Sequence, residues 1–234
     1  MNARLHPPPG GPKLCFMHEA LHAFLLGFPA LFSIVNPPSA AFIFREVTAD
    51  RTHAERVRIA RRVGVYALLV MVSALWAGSY VLGFFGITLA ALRVAGGLVV
   101  AASAWDLLRM PERHDARKQE QAQASEGSDD IAFFPLTLPI TTGPGTIAVA
   151  IALSSGRPEG TQIAWFLLGT TGAAVAMALA IWLTFRFADR IVDMLGPTGS
   201  RIVTRLAAFL LLGIGVQILI GGVADVLGPM LAAR

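Results

Sequence analysis

Charged residues are scarce in this sequence. Of its 234 residues, only 15% are Asp, Glu, Lys or Arg, whereas 55% are hydrophobic. A soluble domain carries about 25% charged residues, so this composition excludes a soluble globular domain and indicates a helical protein embedded in a lipid bilayer. The net charge of +4 does not indicate a nucleic-acid partner, because the basic residues lie in the gaps between apolar runs, as they do in membrane proteins generally.

Cysteine and the motifs of common catalysts are also rare or missing. The single cysteine, Cys15, cannot form a disulfide within the chain. There is no glycine-rich phosphate-binding loop, so we expect no ATP-driven activity, and we predict no cofactor. The apolar runs contain no Ser/His pair, no pair of carboxylates and no set of metal ligands at depth, so we predict that the chain is not an enzyme.

What the sequence has instead is six apolar runs that are long enough to cross a bilayer. They cover residues 21–44, 63–82, 87–108, 131–153, 162–185 and 206–227. The chain divides into a flexible N-terminal tail (1–19), a first three-helix repeat (20–108), a polar cytoplasmic linker (109–130) and a second three-helix repeat (131–234). The tail has no signal-peptide pattern, and Met17 is an alternative start to Met1.

The first apolar run is interrupted near its centre. As a helix it would reach about 36 Å, more than a hydrocarbon core of about 30 Å, yet Asn36 is followed by Pro37 and Pro38. Two prolines remove two backbone donors and leave the carbonyls of Ser33 and Ile34 without helical partners. Lipid cannot satisfy those groups. Broken backbone survives at membrane depth only where it is buried in protein or lines a watery cavity, so the break predicts a site.

The fourth run is broken in the same way, at Gly143-Pro144-Gly145. Asn36-Pro37 matches Gly143-Pro144 in position, and Arg93-Val94-Ala95 opening span three matches Arg205-Leu206-Ala207 opening span six at nearly the same spacing. Since each half has three spans, the second half must enter the membrane from the opposite side. We therefore predict an all-α integral membrane protein of six transmembrane helices, built as two inverted three-helix repeats with helices 1 and 4 broken, an architecture typical of transporters.

In such a repeat, both breaks place half-helix N-termini at the membrane midplane. The amides expected to lack partners, at Ser39 and Ala40 in the first half and at Gly145 and Thr146 in the second, carry partial positive charge and suit a carboxylate. The carbonyls freed by the prolines, that of Ile140 among them, would accept from an ammonium, so a zwitterion is the expected ligand. The candidate substrate-binding residues are Ser33, Asn36, Pro37, Ser39, Thr141, Thr142, Gly143, Pro144, Gly145 and Thr146.

Charged and small residues outside the breaks predict the orientation of the chain in the membrane and the surfaces at which its helices pack. Most Lys and Arg residues lie in the connectors after spans one, three and five, which places these connectors in the cytoplasm and both termini in the periplasm. Arg93 and Arg205 should mark the membrane interface by snorkelling, and Gln217 is a lesser candidate for lining a path. The small-residue runs Gly96-Gly97 and 169–174 are predicted to be close-packing surfaces between helices.

Two motifs carry a family resemblance. The pair Asn36-Pro37 in the first span and the segment Pro139-Ile140-Thr141-Thr142-Gly143-Pro144-Gly145 in the fourth resemble the MarC family of bacterial inner-membrane proteins, which is related to the SnatA small neutral amino acid transporters. The resemblance covers nearly the whole chain after about residue 19, and it implies a six-helix inner-membrane protein that transports small neutral amino acids such as alanine or glycine. Ser39 and Phe42 stand where the family usually has Gly and Pro, so the choice of substrate stays open.

The function predicted from these features is secondary transport of a small neutral amino acid, by rocking of one repeat against the other. No acidic side chain lies at mid-depth, which weakens a carboxylate proton relay and leaves sodium coupling or facilitated flux open; the candidate coupling ions are sodium and the proton. The alternatives are a channel or exporter of other small solutes, and a membrane scaffold without transport.

Overall fold

A computed structural model describes residues 12–84, 86, 88–109, 130–158 and 160–232. All regular structure in these ranges is helical, in agreement with the predicted all-α class. A short 3-10 turn, Gly160–Gln162, precedes the seventh of the helices. In chain order the helices are α1 (Pro12–Val35), α2 (Pro37–Val47), α3 (His53–Phe84), α4 (Leu89–Arg109), α5 (Ala132–Thr141), α6 (Pro144–Ser154), α7 (Ile163–Arg186) and α8 (Ala188–Ala232).

Two helices extend into stretches that the sequence assigns to connections. Helix α1 begins at Pro12, inside the predicted tail, of which residues 1–11 lie outside the described residues. Helix α8 begins at Ala188 and is interrupted at Gly196, whose φ of 58° and ψ of −179° belong to a region used almost only by glycine. The connector before the sixth predicted span is therefore helical on both sides of Gly196. Residues 110–129 of the predicted linker lie outside the described residues.

The first apolar run is broken at Asn36, as predicted. Asn36 adopts left-handed dihedrals, with φ 49° and ψ 67°, and is the N-cap of α2, whose first two positions are Pro37 and Pro38. Asparagine tolerates the left-handed region better than most residues, and proline fits the first turn of a helix because the amides there lack intrahelical partners anyway. The sequence Asn-Pro-Pro thus ends one helix and starts the next.

The second break is more elaborate than the first. Helix α5 is π-helical and contains extended dihedrals at Phe134 and Leu138, each of which precedes a proline. A residue before proline is driven out of the helical region by the proline ring, so both departures follow from the sequence. Helices α5 and α6 then meet at an angle of 62°, whereas the first broken span, Met17–Val47, continues as one stretch.

Membrane-crossing length and apolar character are found in four helical stretches of the described residues, and the bent pair α5 and α6 supplies a fifth if it is one span. Helix α4, which corresponds to the third predicted span, is not among them. The chain is thus a multi-span helical membrane protein, while the count of six spans stays a prediction. The four stretches are Met17–Val47, His53–Gly78, Ile163–Arg186 and Arg201–Leu227.

Helices α4 and α8 pack backbone against backbone. A Cβ atom added at Gly97 would lie 2.5 Å from the backbone nitrogen of Leu219, and one added at Gly215 would lie 2.6 Å from that of Ala101. The contacts advance along one helix as they recede along the other, so the pair is antiparallel. Only glycine permits this approach, which confirms the prediction that Gly96-Gly97 is a packing surface.

Helix α7 makes the same kind of contact with α1. A Cβ atom at Gly169 would collide with the backbone carbonyl oxygen of Ala20, and one at Gly172 would touch the ring of Phe24 at 3.5 Å. Here the contacts advance together along both helices, so α1 and α7 are parallel. The predicted packing role of residues 169–174 is confirmed as well.

The glycine contact between α4 and α8 gives a testable expectation. Gly97→Ala should lower the thermal unfolding midpoint of the purified protein, because the added methyl group meets backbone that cannot yield; overpacking of this kind costs about 1–3 kcal/mol. Gly213→Ala is the matched control on α8, since a Cβ atom there meets nothing within 4 Å. Unfolding is monitored by tryptophan fluorescence in detergent. Equal midpoints for the two variants would contradict the close packing of α4 on α8.

Candidate functional site

The two breaks lie against one another. Helix α1 packs on α6 and helix α2 on α5. A Cβ atom at Gly145 would contact the side chain of Ile34 at 3.5 Å, so the start of α6 meets the last turn of α1. Among the predicted site residues, Gly143 and Gly145 are half-buried and Pro144 is exposed. The buried ones are Ser33, Asn36, Pro37, Ser39, Thr141, Thr142 and Thr146.

The first break is rich in hydrogen-bond acceptors. The side-chain amide nitrogen (Nδ2) of Asn36 donates to the hydroxyl of Thr204 on α8 at 2.7 Å. Its side-chain oxygen and the hydroxyl of Ser33 are buried and have no partner within the described residues. The carbonyls of Ser33 and Ile34 lose their donors to Pro37 and Pro38. This break therefore contains buried oxygens without donors, which a cation or an ammonium group could satisfy.

The second break satisfies its own carbonyls with threonine hydroxyls. Thr137 donates to the carbonyl of Ala132 at 2.6 Å, and Thr141 donates to that of Leu136 at the same distance. Thr142 and Thr146 repeat the pattern with the carbonyls of Thr137 and Thr141 at 3.0 and 3.3 Å. Each threonine hydroxyl has one proton, and it donates that proton to a backbone carbonyl. These threonines can accept from a ligand but cannot donate to it.

The donors of the second break are backbone amides. Gly143 is the N-cap of α6 without a side-chain cap, and the first bond of the helix runs from the amide of Ile147 to the carbonyl of Gly143 at 3.2 Å. The amides of Gly145 and Thr146 are left without intrahelical partners, as predicted. Gly143 also has to be glycine, because a Cβ atom there would collide with the carbonyl oxygen of Pro139.

The prediction of a free amide at Ala40 is wrong. That amide donates to the carbonyl of Asn36 at 3.0 Å, because the carbonyl of an N-cap residue accepts the first bond of its helix. Ser39 also has a polar partner. The first half-helix therefore offers fewer donors than the sequence suggests, and the two breaks differ in polarity, with acceptors at the first and amide donors at the second.

A cavity of about 580 Å³ lies beside the breaks and not in them. Its walls come from α1, α4, α6, α7 and α8, and none of the predicted site residues lines it. Gln217, predicted as a path-lining residue, does line it. Sequence reasoning missed Thr204 and Phe166, since a lone hydroxyl or ring gives no signal without its neighbours. The polar side chains of the cavity are those of Glu19, His22, Arg93, Thr170 and Gln217.

Arg93 holds one wall of this cavity. Its guanidinium donates to the backbone carbonyl of Ser155 at 2.7 Å and forms an ion pair with Asp225. The sequence predicts an interfacial, snorkelling arginine here. In the structure the side chain, which is 23% exposed, ties α4 to the end of α6 and to α8, while its position at the membrane interface stays a prediction.

Ion pairs connect the helices at the other end of the molecule, which we call the basic end because it carries Arg45, Arg56 and Arg62. Arg45 pairs with Asp193 at 2.7 Å, Arg56 with Asp189 at 3.0 Å and Arg62 with Asp130 at 2.7 Å. These pairs join α2 and α3 to α8, and α3 to the start of the second half. The cavity described above lies towards the opposite end, which is the end of Glu19, Arg93 and Asp225.

The broken, mutually packed helices and the glycine-mediated contacts define an integral membrane protein with several spans and with buried polar side chains at its two breaks. Comparison with protein families places it further. The model of the "MarC family integral membrane protein" matches residues 21–227. The chain belongs to the MarC family, as its two motifs predict.

Individual relatives agree with this assignment. Over 217 residues the chain is 32% identical to the UPF0056 inner membrane protein MarC of Salmonella typhimurium and to that of Citrobacter koseri, covering 90% of this chain and 98% of each relative. It is also 32% identical over 209 residues to the UPF0056 membrane protein MJ1677 of Methanocaldococcus jannaschii, covering 88% and 98% of the two chains. No solved structure matches it. With its apolar helices, the chain is a multi-pass inner membrane protein.

The cavity can be tested by chemical labelling. In a Cys15→Ser background, Gln217→Cys should react with a membrane-impermeant maleimide, because Gln217 is exposed on the cavity wall. Leu211→Cys is the matched control on the same helix, where the side chain is fully buried. Mass spectrometry after labelling of the purified protein in detergent measures the extent of reaction. Equal labelling at the two positions would contradict the cavity.

Proposed function

We propose that the chain is a secondary transporter of small neutral amino acids, of the alanine or glycine type, with its substrate site between the two breaks. The observation that carries the proposal is the complementary polarity of the breaks. Unpartnered oxygens of Ser33 and Asn36 stand on one side, and the amides of Gly145 and Thr146 stand on the other. A zwitterion needs acceptors for its ammonium group and donors for its carboxylate, and it needs both within one small site.

The size of the site supports a small substrate. The contact between Ile34 and Gly145 brings the backbones of the two breaks close together. Since the Ile34 side chain lies within 3.5 Å of a Cβ atom at Gly145, the breaks would have to separate to admit a ligand, and Ile34 would limit its size. A carboxylate at the start of α6 would also gain from the partial positive charge of the helix terminus, which is about half a unit.

Helix pairing supports the inverted repeat of six spans. If the halves are related by a two-fold axis, α2 corresponds to α6, so the packing of α2 on α7 should be mirrored by α3 on α6, and that of α2 on α8 by α4 on α6. All four pairs are in contact, as are α4 with α8 and α3 with α7, which the axis would map onto themselves. Because the glycine contacts hold α4 to α8 and α1 to α7, each across the two repeats, the rocking motion in this proposal takes place between these two helix pairs and not between whole repeats.

The ends of the molecule differ in a way that suits alternating access. In this proposal the basic end lies in the cytoplasm with both termini in the periplasm, following the distribution of Lys and Arg. The ion pairs and the Asn36 to Thr204 hydrogen bond close that end, while the cavity opens towards the periplasm. No carboxylate lies among the break residues, so the coupling ion is sodium or a proton carried by another group, or else flux is facilitated.

Substrate chemistry can be tested by counterflow of radiolabelled alanine in proteoliposomes. Unlabelled alanine, glycine and serine should compete with the label, whereas N-acetylalanine and alaninamide should not, because each lacks one of the two charges that the breaks are arranged to bind. Runs with and without sodium or a pH gradient identify the coupling ion. Competition by alaninamide equal to that of alanine would contradict a carboxylate site at α6.

The break itself can be tested by restoring its missing donor. Pro37→Ala provides an amide that can donate to the carbonyl of Ser33, so it should reduce alanine counterflow by about tenfold or more, the value of one hydrogen bond to a charged group. Pro29→Ala is the matched control, since Pro29 lies in the same helix away from the break. Full activity of Pro37→Ala would mean that this break is not the site.

Two outcomes would favour the alternatives. Flux that does not saturate and shows no exchange would indicate a channel. Folded protein without flux of any amino acid would indicate a scaffold.

A further inference from the structure

Helix α3 carries an exposed arginine cluster at the basic end, formed by Arg58, Arg61 and Arg62. Together with Val65 and Tyr66 these side chains line a groove of about 300 Å³. Arg62 is neutralised by Asp130 and also donates to the hydroxyl of Tyr66 at 3.1 Å. Arg58 and Arg61 have no hydrogen bond or ion pair within the part of the chain that the structure describes. Among the described residues, the groove therefore has two guanidinium groups without an ion-pair partner.

The acidic residue nearest in sequence does not neutralise them. Glu55 lies one turn before Arg58, but its carboxylate accepts from the amide and the hydroxyl of Thr52, both at 2.8 Å. This is a capping box that fixes the start of α3. These hydrogen bonds from Thr52, and to a smaller extent the charges of Arg51 and Arg58, lower the pKa of Glu55. The carboxylate stays at the N-terminus of the helix and forms no ion pair with Arg58 within the described residues.

Towards the C-terminus of α3, after the arginines, the same face of the helix becomes apolar. Val65 is 50% and Leu69 is 61% exposed, and Trp76 and Tyr80 continue the stripe. From Arg58 to Tyr80 the helix rises about 33 Å, close to the thickness of a bilayer core at about 30 Å. At its far end Tyr80 stacks under Arg157 at 4.2 Å, as an interfacial anchor does. The stripe faces lipid, and the arginine cluster lies at headgroup level.

We propose that this groove binds one anionic phospholipid. Its phosphate lies between Arg58 and Arg61, and an acyl chain runs along Val65 and Leu69. Basic grooves at the inner membrane surface are the sites where anionic headgroups bind, and two guanidiniums can donate hydrogen bonds to both non-bridging oxygens of a phosphate diester, which share one negative charge. The apolar continuation of the groove selects a lipid, because a soluble phosphate would gain nothing from it. The proposal is independent of the transport proposal.

The test is native mass spectrometry of the full-length protein in detergent, titrated with phosphatidylglycerol, cardiolipin or phosphatidylcholine. Arg58→Gln with Arg61→Gln should weaken retention of the anionic lipids by about tenfold or more. Arg51→Gln with Arg190→Gln removes the same charge from the basic end outside the groove and should not. Arg58→Lys with Arg61→Lys should retain most of the binding, which distinguishes loss of charge from loss of fold.

Each outcome of the mass spectrometry experiment either supports or overturns the lipid site. Selective retention of phosphatidylglycerol or cardiolipin by the parent and the control variant, with loss in the Gln variant, supports the site. Equal retention in all variants, or equal retention of phosphatidylcholine, overturns it. Thermal unfolding with glycerol phosphate in place of lipid separates the two sources of phosphate: stabilisation equal to that by phosphatidylglycerol would overturn the assignment to a lipid.

Discussion

Backbone carbonyls that lose their donors inside a bilayer must find partners within the protein, and this constraint organises both broken spans. At the second break, four threonine hydroxyls each donate to the backbone carbonyl five residues earlier. At the first break, the side-chain oxygens of Ser33 and Asn36 are buried without a partner among the described residues. The same kind of interruption thus gives a self-contained element in one half and an incomplete one in the other. A ligand with a positive end would complete it.

Sequence reasoning reached the positions of both breaks, the all-helical class and the family. Proline acts locally, so its effect on the carbonyls of Ser33 and Ile34 follows from chain chemistry without knowledge of the tertiary structure. The glycine runs were predictable for a similar reason, since a missing side chain has few uses other than close approach.

The other features of the candidate site depend on tertiary contacts that local sequence patterns do not encode. The roles of Thr137, Thr141, Thr142 and Thr146 depend on π-helical geometry, in which hydroxyl and carbonyl are five residues apart, and a sequence reader expects the α-helical spacing of four. Thr204 became relevant only because α8 places it beside Asn36. Arg93 faces a carbonyl at the end of α6, a partner about sixty residues away that no periodicity indicates. The prediction for the amide of Ala40 fails because that amide is four residues after the N-cap Asn36, whose carbonyl accepts the first bond of the helix.

The glycine contacts have a mechanical consequence. Where backbone touches backbone, as between α4 and α8 and between α1 and α7, one helix cannot slide along the other without lifting the two apart. Each pair therefore behaves as a stiff unit. The boundary between the units is crossed by contacts of another kind, the hydrogen bond from Asn36 to Thr204 and the ion pair from Arg45 to Asp193, which can dissociate and reform with little change of shape. The interface between α8 and the first broken span is consequently the one at which the two units can shift against each other, and Asn36 lies in that interface.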